Sequence, residues 1–393
     1  MSTGLIMTGG GARAAYQVGV LSGIFDILDP DRSVDFPNPF PIICGSSAGA
    51  INAASLACRA HQPHVGVQRL VELWSSLHTD MVYYSDPAGL GKTGLKWLGL
   101  LALGWMLPAL KAGRPRSFLD NTPLRILLES TLDFDRLRAN LEHRCLDALA
   151  ITATGYETGE HLTFYQSNIK IKPWRRSLRT AVPGPVGVDH LMASSAIPFI
   201  FPAQPMLIGG HTEWCGDGSM RQLAPLSPAI HLGARRIVVI GTGHKDDTHP
   251  EKRQTAAAYP TLAQIGGHAL SNIFLDSLSM DIERLERING LLAKLPADAL
   301  QSESLRPVHS LVITPSKSLD DIALAHLKQI PRAARTLFRV LGVSSRSGPD
   351  TGGALISYLL FEAHYTQELI RLGRADSFNR VEDVKAFFKE TSS

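Results

Sequence analysis

Short apolar runs bounded by glycine and polar residues recur along the chain and predict strands. They are Leu5–Met7, Ile42–Cys44, Ala148–Ala153, Leu162–Tyr165, Met206–Ile208, Ile237–Gly241 and Leu311–Thr314. Such runs are continuous rather than alternating, as strands buried on both faces should be. Stretches of helical character lie among them: Ala14–Leu28, Ala50–Arg59, Val67–Leu77, Pro123–Glu129 and Pro225–His231. Alternation of this kind predicts an α/β fold, with a mainly parallel central sheet flanked by helices.

After about residue 255 the pattern turns helical. Over Ala269–Asn289, Leu270, Phe274, Leu278 and Ile282 form one apolar stripe, and Glu283 and Arg287 a favourable i, i+4 pair. A strand at 307–314 is expected to return to the sheet edge, followed by helices at Gly353–Leu372 and Val381–Phe388. The chain is therefore divided into a core, 1–255, and a mainly helical C-terminal part, 256–393, packed on it. Tyr358, Phe361, Tyr365, Phe387 and Phe388 gather aromatic surface in that part. Packing on the core is their expected role, and a homo-oligomer or partner surface is the alternative.

The chemistry concentrates in three glycine-rich stretches. Gly45-Ser46-Ser47-Ala48-Gly49 lies between the Ile42–Cys44 run and a small-residue helix. This is the strand, sharp turn and helix context of a G-x-S-x-G nucleophile elbow. Glycines two residues either side of Ser47 let neighbouring backbone approach, and the helix N-terminus faces charge that develops at the serine. Near the N-terminus, Gly9-Gly10-Gly11 follows the first strand and precedes the first helix. Its bare N–H groups could converge on a phosphate or a tetrahedral oxyanion. A dinucleotide fingerprint is met only with Ala14, a permitted substitute, at the third glycine position, and no Lys-Ser/Thr follows as a P-loop requires. An oxyanion hole fits best, with Arg13 adding a fixed positive charge nearby. The third stretch, Gly216-Asp217-Gly218-Ser219, reads on its own as a turn. It lies 170 positions after Ser47, with enough sheet between to bring the two together.

These three blocks, in this order, resemble the patatin-like phospholipase family. Ala193-Ser194-Ser195-Ala196-Ile197-Pro198-Phe199-Ile200-Phe201-Pro202-Ala203 is similar to the family's block upstream of its catalytic aspartate. Ser117–Arg125 resembles its segment after the lid region. Two positions depart from the family pattern, Ala14 and Ser219, and neither removes a catalytic group. The resemblance implies a three-layer α/β sandwich. It also implies a Ser-Asp dyad without histidine: Ser47 as nucleophile and Asp217 as general base. Gly9, Gly10 and Gly11 would supply the oxyanion hole, and Arg13, Gly45, Gly49 and Gly218 would support it. The implied substrates are acyl esters of glycerophospholipids, lysophospholipids or neutral glycerides, cleaved through an acyl-enzyme. No cofactor or metal is implied, and no acidic calcium loop of EF-hand type occurs. The competing serine-hydrolase reading needs a histidine after the aspartate, with His244 the best placed. A soluble carboxylesterase or thioesterase would use the same serine. A catalytically silent lipid-binding protein would keep the fold without the chemistry.

Composition narrows the partners. The 393 residues are 44% hydrophobic with net charge +3 and mean hydropathy +0.02, a globular balance without basic tracts for nucleic acid. Cys44, Cys58, Cys145 and Cys215 are widely spaced and show no metal pattern. They read as reduced residues of a cytosolic protein. The start Met1-Ser2-Thr3-Gly4 has no signal-peptide character. Between Lys96 and Lys111, Trp97–Leu110 holds 14 uncharged residues, short of the roughly 20 a spanning helix needs. Trp97, Trp105 and the flanking lysines suit an interfacial segment, with a buried helix as the alternative. The expected location is cytoplasmic, or peripheral at the inner face of a membrane.

Overall fold

Every residue of the first strand, β1 (Thr3–Met7), is buried, because it lies inside a sheet covered on both faces. The computed structural model of the protein describes residues 2–84, 117–243, 278–296, 305–326 and 353–389. The other strands are β2 (Ile42–Ser46), β3 (Ala148–Gly155), β4 (His161–Ser167), β5 (Arg175–Arg176), β6 (Arg179–Pro183), β7 (Gln204–Ile208), β8 (His211–Asp217), β9 (Arg236–Ile240) and β10 (His309–Ile313). They join in the order β10-β9-β1-β2-β3-β4-β6-β5, with β8 pairing both β3 and β7. The run from β10 to β3 is parallel throughout.

Alternate residues of this run feed two cores. Leu5, Met7, Ile43, Leu149, Ile151, Val238 and Ile240 enter one cluster. Ile6, Ile42, Cys44, Ala148, Ala150, Ile237 and Val239 enter the other. The strict two-residue alternation of side chains explains why these runs are apolar at nearly every position. The first face is covered by α1 (Ala15–Leu28), α2 (Ala48–Cys58) and α3 (Pro63–Ser75), with α4 (Thr122–Thr131) and α5 (Phe134–Glu142) beside them. α6 (Val188–Ser194) follows in the chain. The second face is covered by α7 (Ser227–His231) and α8 (residues 278–292). The result is a three-layer α/β sandwich with a mostly parallel sheet.

The C-terminal helices are α9 (Leu319–Ala325), α10 (Gly353–Leu359), α11 (Ala363–Phe378) and α12 (Val381–Lys389). They share the first core rather than standing apart from it. α11 crosses α1 so closely that a Cβ on Gly19 would sit 2.1 Å from the Ile370 carbonyl oxygen. Glycine is the residue that permits this approach. The crossing is locked by Asp376, whose carboxylate accepts from Tyr16 Oη at 3.0 Å and Ser316 Oγ at 2.5 Å. Tyr358 and Tyr365 are fully buried, and Phe361 and Phe387 are buried with them. These aromatic side chains therefore pack inward.

Several elements differ from the sequence pattern for identifiable reasons. The single helix expected over Gly353–Leu372 is two, α10 and α11. Leu360–Glu362 leave the helix, stacking Phe361 on Trp74 and letting Glu362 accept from Thr79 Oγ1 at 2.7 Å. Of the Gly216–Ser219 stretch that reads as a turn, Gly216 and Asp217 end a strand, β8, which pairs with β7 across Gly209 and Gly210. Its outer residues are exposed, which hides the strand in a polar sequence. β5, β6, α6 and α9 are too short to show as periodic runs, and α5 buries only Leu137, Asn140 and Leu141 of its nine residues. Of the long helix expected over Ala269–Asn289, only the part from residue 278 lies within the described residues.

Candidate active site

The sheet register brings Ser47 and Asp217 together. β2 ends at Ser46, which pairs with Thr152 of β3. β4 occupies the other edge of β3 along 148–154. The edge that β2 vacates is taken by β8, which arrives antiparallel with Asp217 opposite Ala153. Ser46 and Asp217, distant in sequence, thus lie beside the consecutive positions Thr152 and Ala153, and Ser47 directly follows Ser46. Ser47 Oγ donates a hydrogen bond to Asp217 Oδ2 at 2.6 Å.

Ser47 holds φ 53° and ψ −131° at the start of α2. A side chain with positive φ is strained and persists only where its surroundings enforce it. Here the enforcement is visible. Ser47 N–H donates to Ser194 Oγ at 2.8 Å, and its carbonyl accepts from Ala50 N–H at 2.9 Å. The first turn of α2 rides over the end of β1, where a Cβ on Gly49 would lie 2.4 Å from Met7 O and 2.5 Å from Thr8 O. Gly49→Ala is expected to lower the melting temperature and hydrolysis together, through overpacking of about 1–3 kcal/mol or more. Thermal unfolding beside an activity assay checks this, and a variant indistinguishable from wild type would refute it.

Asp217 is fully buried. Burial pushes its carboxyl up to about 6, partly offset by hydrogen bonds from Ser47 and Ser219. Its Oδ1 accepts from Ser219 N–H at 2.9 Å, and its carbonyl accepts from Thr154 Oγ1 at 2.9 Å. Both carboxylate oxygens therefore have donors, and no imidazole stands between Asp217 and Ser47. Among the later histidines, His231 stacks on Trp174 and contacts Ser227, and His326 pairs with Glu368. His244 lies outside the described residues.

The glycine loop is anchored through its carbonyls. Thr8 O accepts from Gln17 Nε2 at 2.7 Å, Gly9 O from Thr242 Oγ1 at 2.7 Å and Gly10 O from Arg13 N–H at 3.1 Å. In a trans peptide the N–H points opposite the carbonyl, so these three anchors set the directions of the Gly9, Gly10 and Gly11 N–H groups. Gln17 is held in turn by Asn52, which accepts from Trp74 Nε1 at 2.8 Å. Gln17, Asn52, Thr242 and Ser194 belong to none of the sequence motifs as functional residues. The first two carry a usable signal, being polar residues inside apolar helical runs.

Arg13 supports the loop rather than facing the pocket. Its buried guanidinium donates to Ser357 Oγ at 2.8 Å, pairs with Asp320 and stacks on the Tyr358 ring. Helices α9 and α10 thereby hold the loop from behind. Asp320→Ala is expected to cost about 1–3 kcal/mol of stability, since it leaves a buried cation without its carboxylate. A denaturant titration showing no change in midpoint would refute that role.

A cavity opens from Ser47 and Gly11 and is lined mainly by apolar side chains, among them Ile51, Trp74, Leu77, Leu124 and Phe361. Among the described residues no group of His, Cys, Asp or Glu is placed to hold a metal ion. Trp97 and Trp105 lie outside the described residues.

A fully buried carboxylate thus accepts a hydrogen bond from a strained serine at the carboxyl end of β2, and that serine lines an apolar cavity. The family model for patatin-like phospholipase matches residues 5–230, well over half of the chain. The chain belongs to the patatin-like phospholipase family, and with it to the lipid acyl hydrolases in general. Among solved structures it is similar to VipD from Legionella pneumophila, at 12% identity and TM-score 0.29, covering 94% of this chain and 67% of that one. No protein of curated function matches the chain.

Proposed function

We propose that the protein hydrolyses carboxylic esters of glycerophospholipids, with Ser47 as nucleophile and Asp217 as general base. The observation that carries this is the 2.6 Å bond from Ser47 Oγ to a fully buried carboxylate beside an apolar cavity. Asp217 takes the hydroxyl proton as Ser47 attacks the acyl carbon. The oxyanion that forms is received by N–H groups of Gly9, Gly10 and Gly11, and the α2 N-terminus favours its charge. The proton then passes to the departing alkoxide. Water attacks the acyl-enzyme with Asp217 again as base, releasing the fatty acid. A base near pH 6 suits this exchange at neutral pH.

The fatty chain fills the apolar cavity, which matches an acyl group better than a polar substrate. The Trp97–Leu110 segment suits contact with a membrane surface by its composition. No described helix is long and apolar enough to cross a membrane. The test is release of fatty acid and lysophospholipid from mixed phospholipid vesicles, with Ser47→Ala beside wild type. Hydrolysis confined to short soluble esters would favour a carboxylesterase instead.

A further inference from the structure

The turn that clamps the site also carries a polar group with nothing to bind. Ser194 Oγ accepts from Ser47 N–H, and Ala196 O accepts from Asp217 N–H at 3.0 Å. Between them, Ser195 lines the same cavity as Ser47 and Gly11. Ser195 is 7% exposed, and its hydroxyl has no hydrogen-bond partner among the described residues. Its main chain is satisfied, with its N–H on Leu191 O and its carbonyl accepting from Ile197 N–H. The other polar side-chain groups lining the cavity are engaged: the Ser47 hydroxyl by Asp217 and the Trp74 indole N–H by Asn52. An unpartnered buried hydroxyl costs about 1–3 kcal/mol, so its presence in an apolar lining calls for a ligand acceptor.

The geometry points to Ser195 as a substrate-binding residue that donates a hydrogen bond to the alkoxy oxygen of the scissile lipid ester. The assignment rests on the acyl-hydrolase reading of the same cavity. An acyl chain offers no oxygen beyond its ester group. Ser195 is one residue, or about 3.8 Å along the chain, from the serine that holds Ser47. The carbonyl oxygen is taken by the glycine-loop amides, which leaves the alkoxy oxygen for Ser195. When the tetrahedral intermediate collapses, the bond from acyl carbon to alkoxy oxygen breaks and its electron pair goes to that oxygen. The proton that Asp217 accepted from Ser47 moves onto the oxygen. Ser195 keeps its own proton and steadies the developing charge.

This role depends on how poor the leaving group is. Ser195→Ala is expected to lower kcat/KM about tenfold or more on an alkyl or glyceryl ester. On the p-nitrophenyl ester of the same fatty acid, whose leaving group needs no such help, the change should stay within about twofold. The melting temperature should hold or rise, since a buried unsatisfied hydroxyl has been removed. Should the alanine variant fold poorly, the near-isosteric Ser195→Cys, a weak donor, is expected to show the same leaving-group dependence. Equal losses on both esters, no loss on either, or a lowered melting temperature that tracks the lost activity in both the alanine and the cysteine variant would overturn the assignment. A wild type that hydrolyses neither ester overturns the acyl-hydrolase reading and this contact with it. A wild type active on both esters and matched by the variant overturns the contact alone.

Discussion

Ser47→Ala is expected to abolish release of fatty acid from phospholipid vesicles, a loss of about 10⁴-fold or more. Removing one oxygen removes the atom that would form the acyl-enzyme, so the oxyanion hole proposed for the glycine-loop amides is left with no attacking group to serve. The fold should survive. Alanine inherits the same positive φ at this position, no better and no worse than serine. The cost falls on Asp217 Oδ2, which loses its donor in a fully buried place. Its carboxyl should move further up and stay protonated nearer neutral pH, which limits the loss to about 1–3 kcal/mol, or a few degrees of melting temperature. Labelling by a fluorophosphonate should vanish with the hydroxyl. A variant that still hydrolyses phospholipid would remove Ser47 from the mechanism.

Asp217→Asn should also silence hydrolysis, by about 10³-fold or more, because an amide cannot take the serine proton. It should at the same time stabilise the protein at pH 8. Burial raises the native carboxyl to about 6, whereas in the unfolded chain it titrates near 3.9. Between those values the native state binds more protons than the unfolded state, so stability falls as pH rises. The cost of burying the ionised form is complete above about pH 6 and absent below about pH 3.9, and is on the order of 3 kcal/mol. Asparagine avoids it, and can still accept from Ser219 N–H and donate to Ser47 Oγ. The variant should melt above wild type at pH 8, with the gap closing as pH approaches 4. Wild-type hydrolysis should rise through about pH 6 as the base ionises. An Asn variant that keeps most of its activity would point to a histidine base. One that melts lower at pH 8 would show that the buried charge is stabilised by its surroundings.

Much of this is legible in the residues alone. The apolar runs of β1, β2, β3 and β9 announce themselves because both faces are buried and period-two alternation disappears. The elbow around Ser47 and the Gly9–Gly11 loop are readable because tight backbone geometry leaves a local mark, namely glycine at fixed spacing. What stays hidden depends on partners distant in sequence. Gly216–Ser219 reads as a turn until β8 takes the edge of β3 that β2 has left. Only then does Asp217 reach Ser47, across 170 positions. Arg13 promises a charge for the site, but its direction is decided by Asp320 and Ser357, more than 300 residues away. Ser195 is one small residue among several in its stretch until its burial and lack of a partner set it apart. Local sequence determines where the backbone turns and which faces are apolar, since those forces act over a few residues. Burial, hydrogen-bond satisfaction and a shifted carboxyl are properties of the assembled environment, and only the tertiary structure decides them.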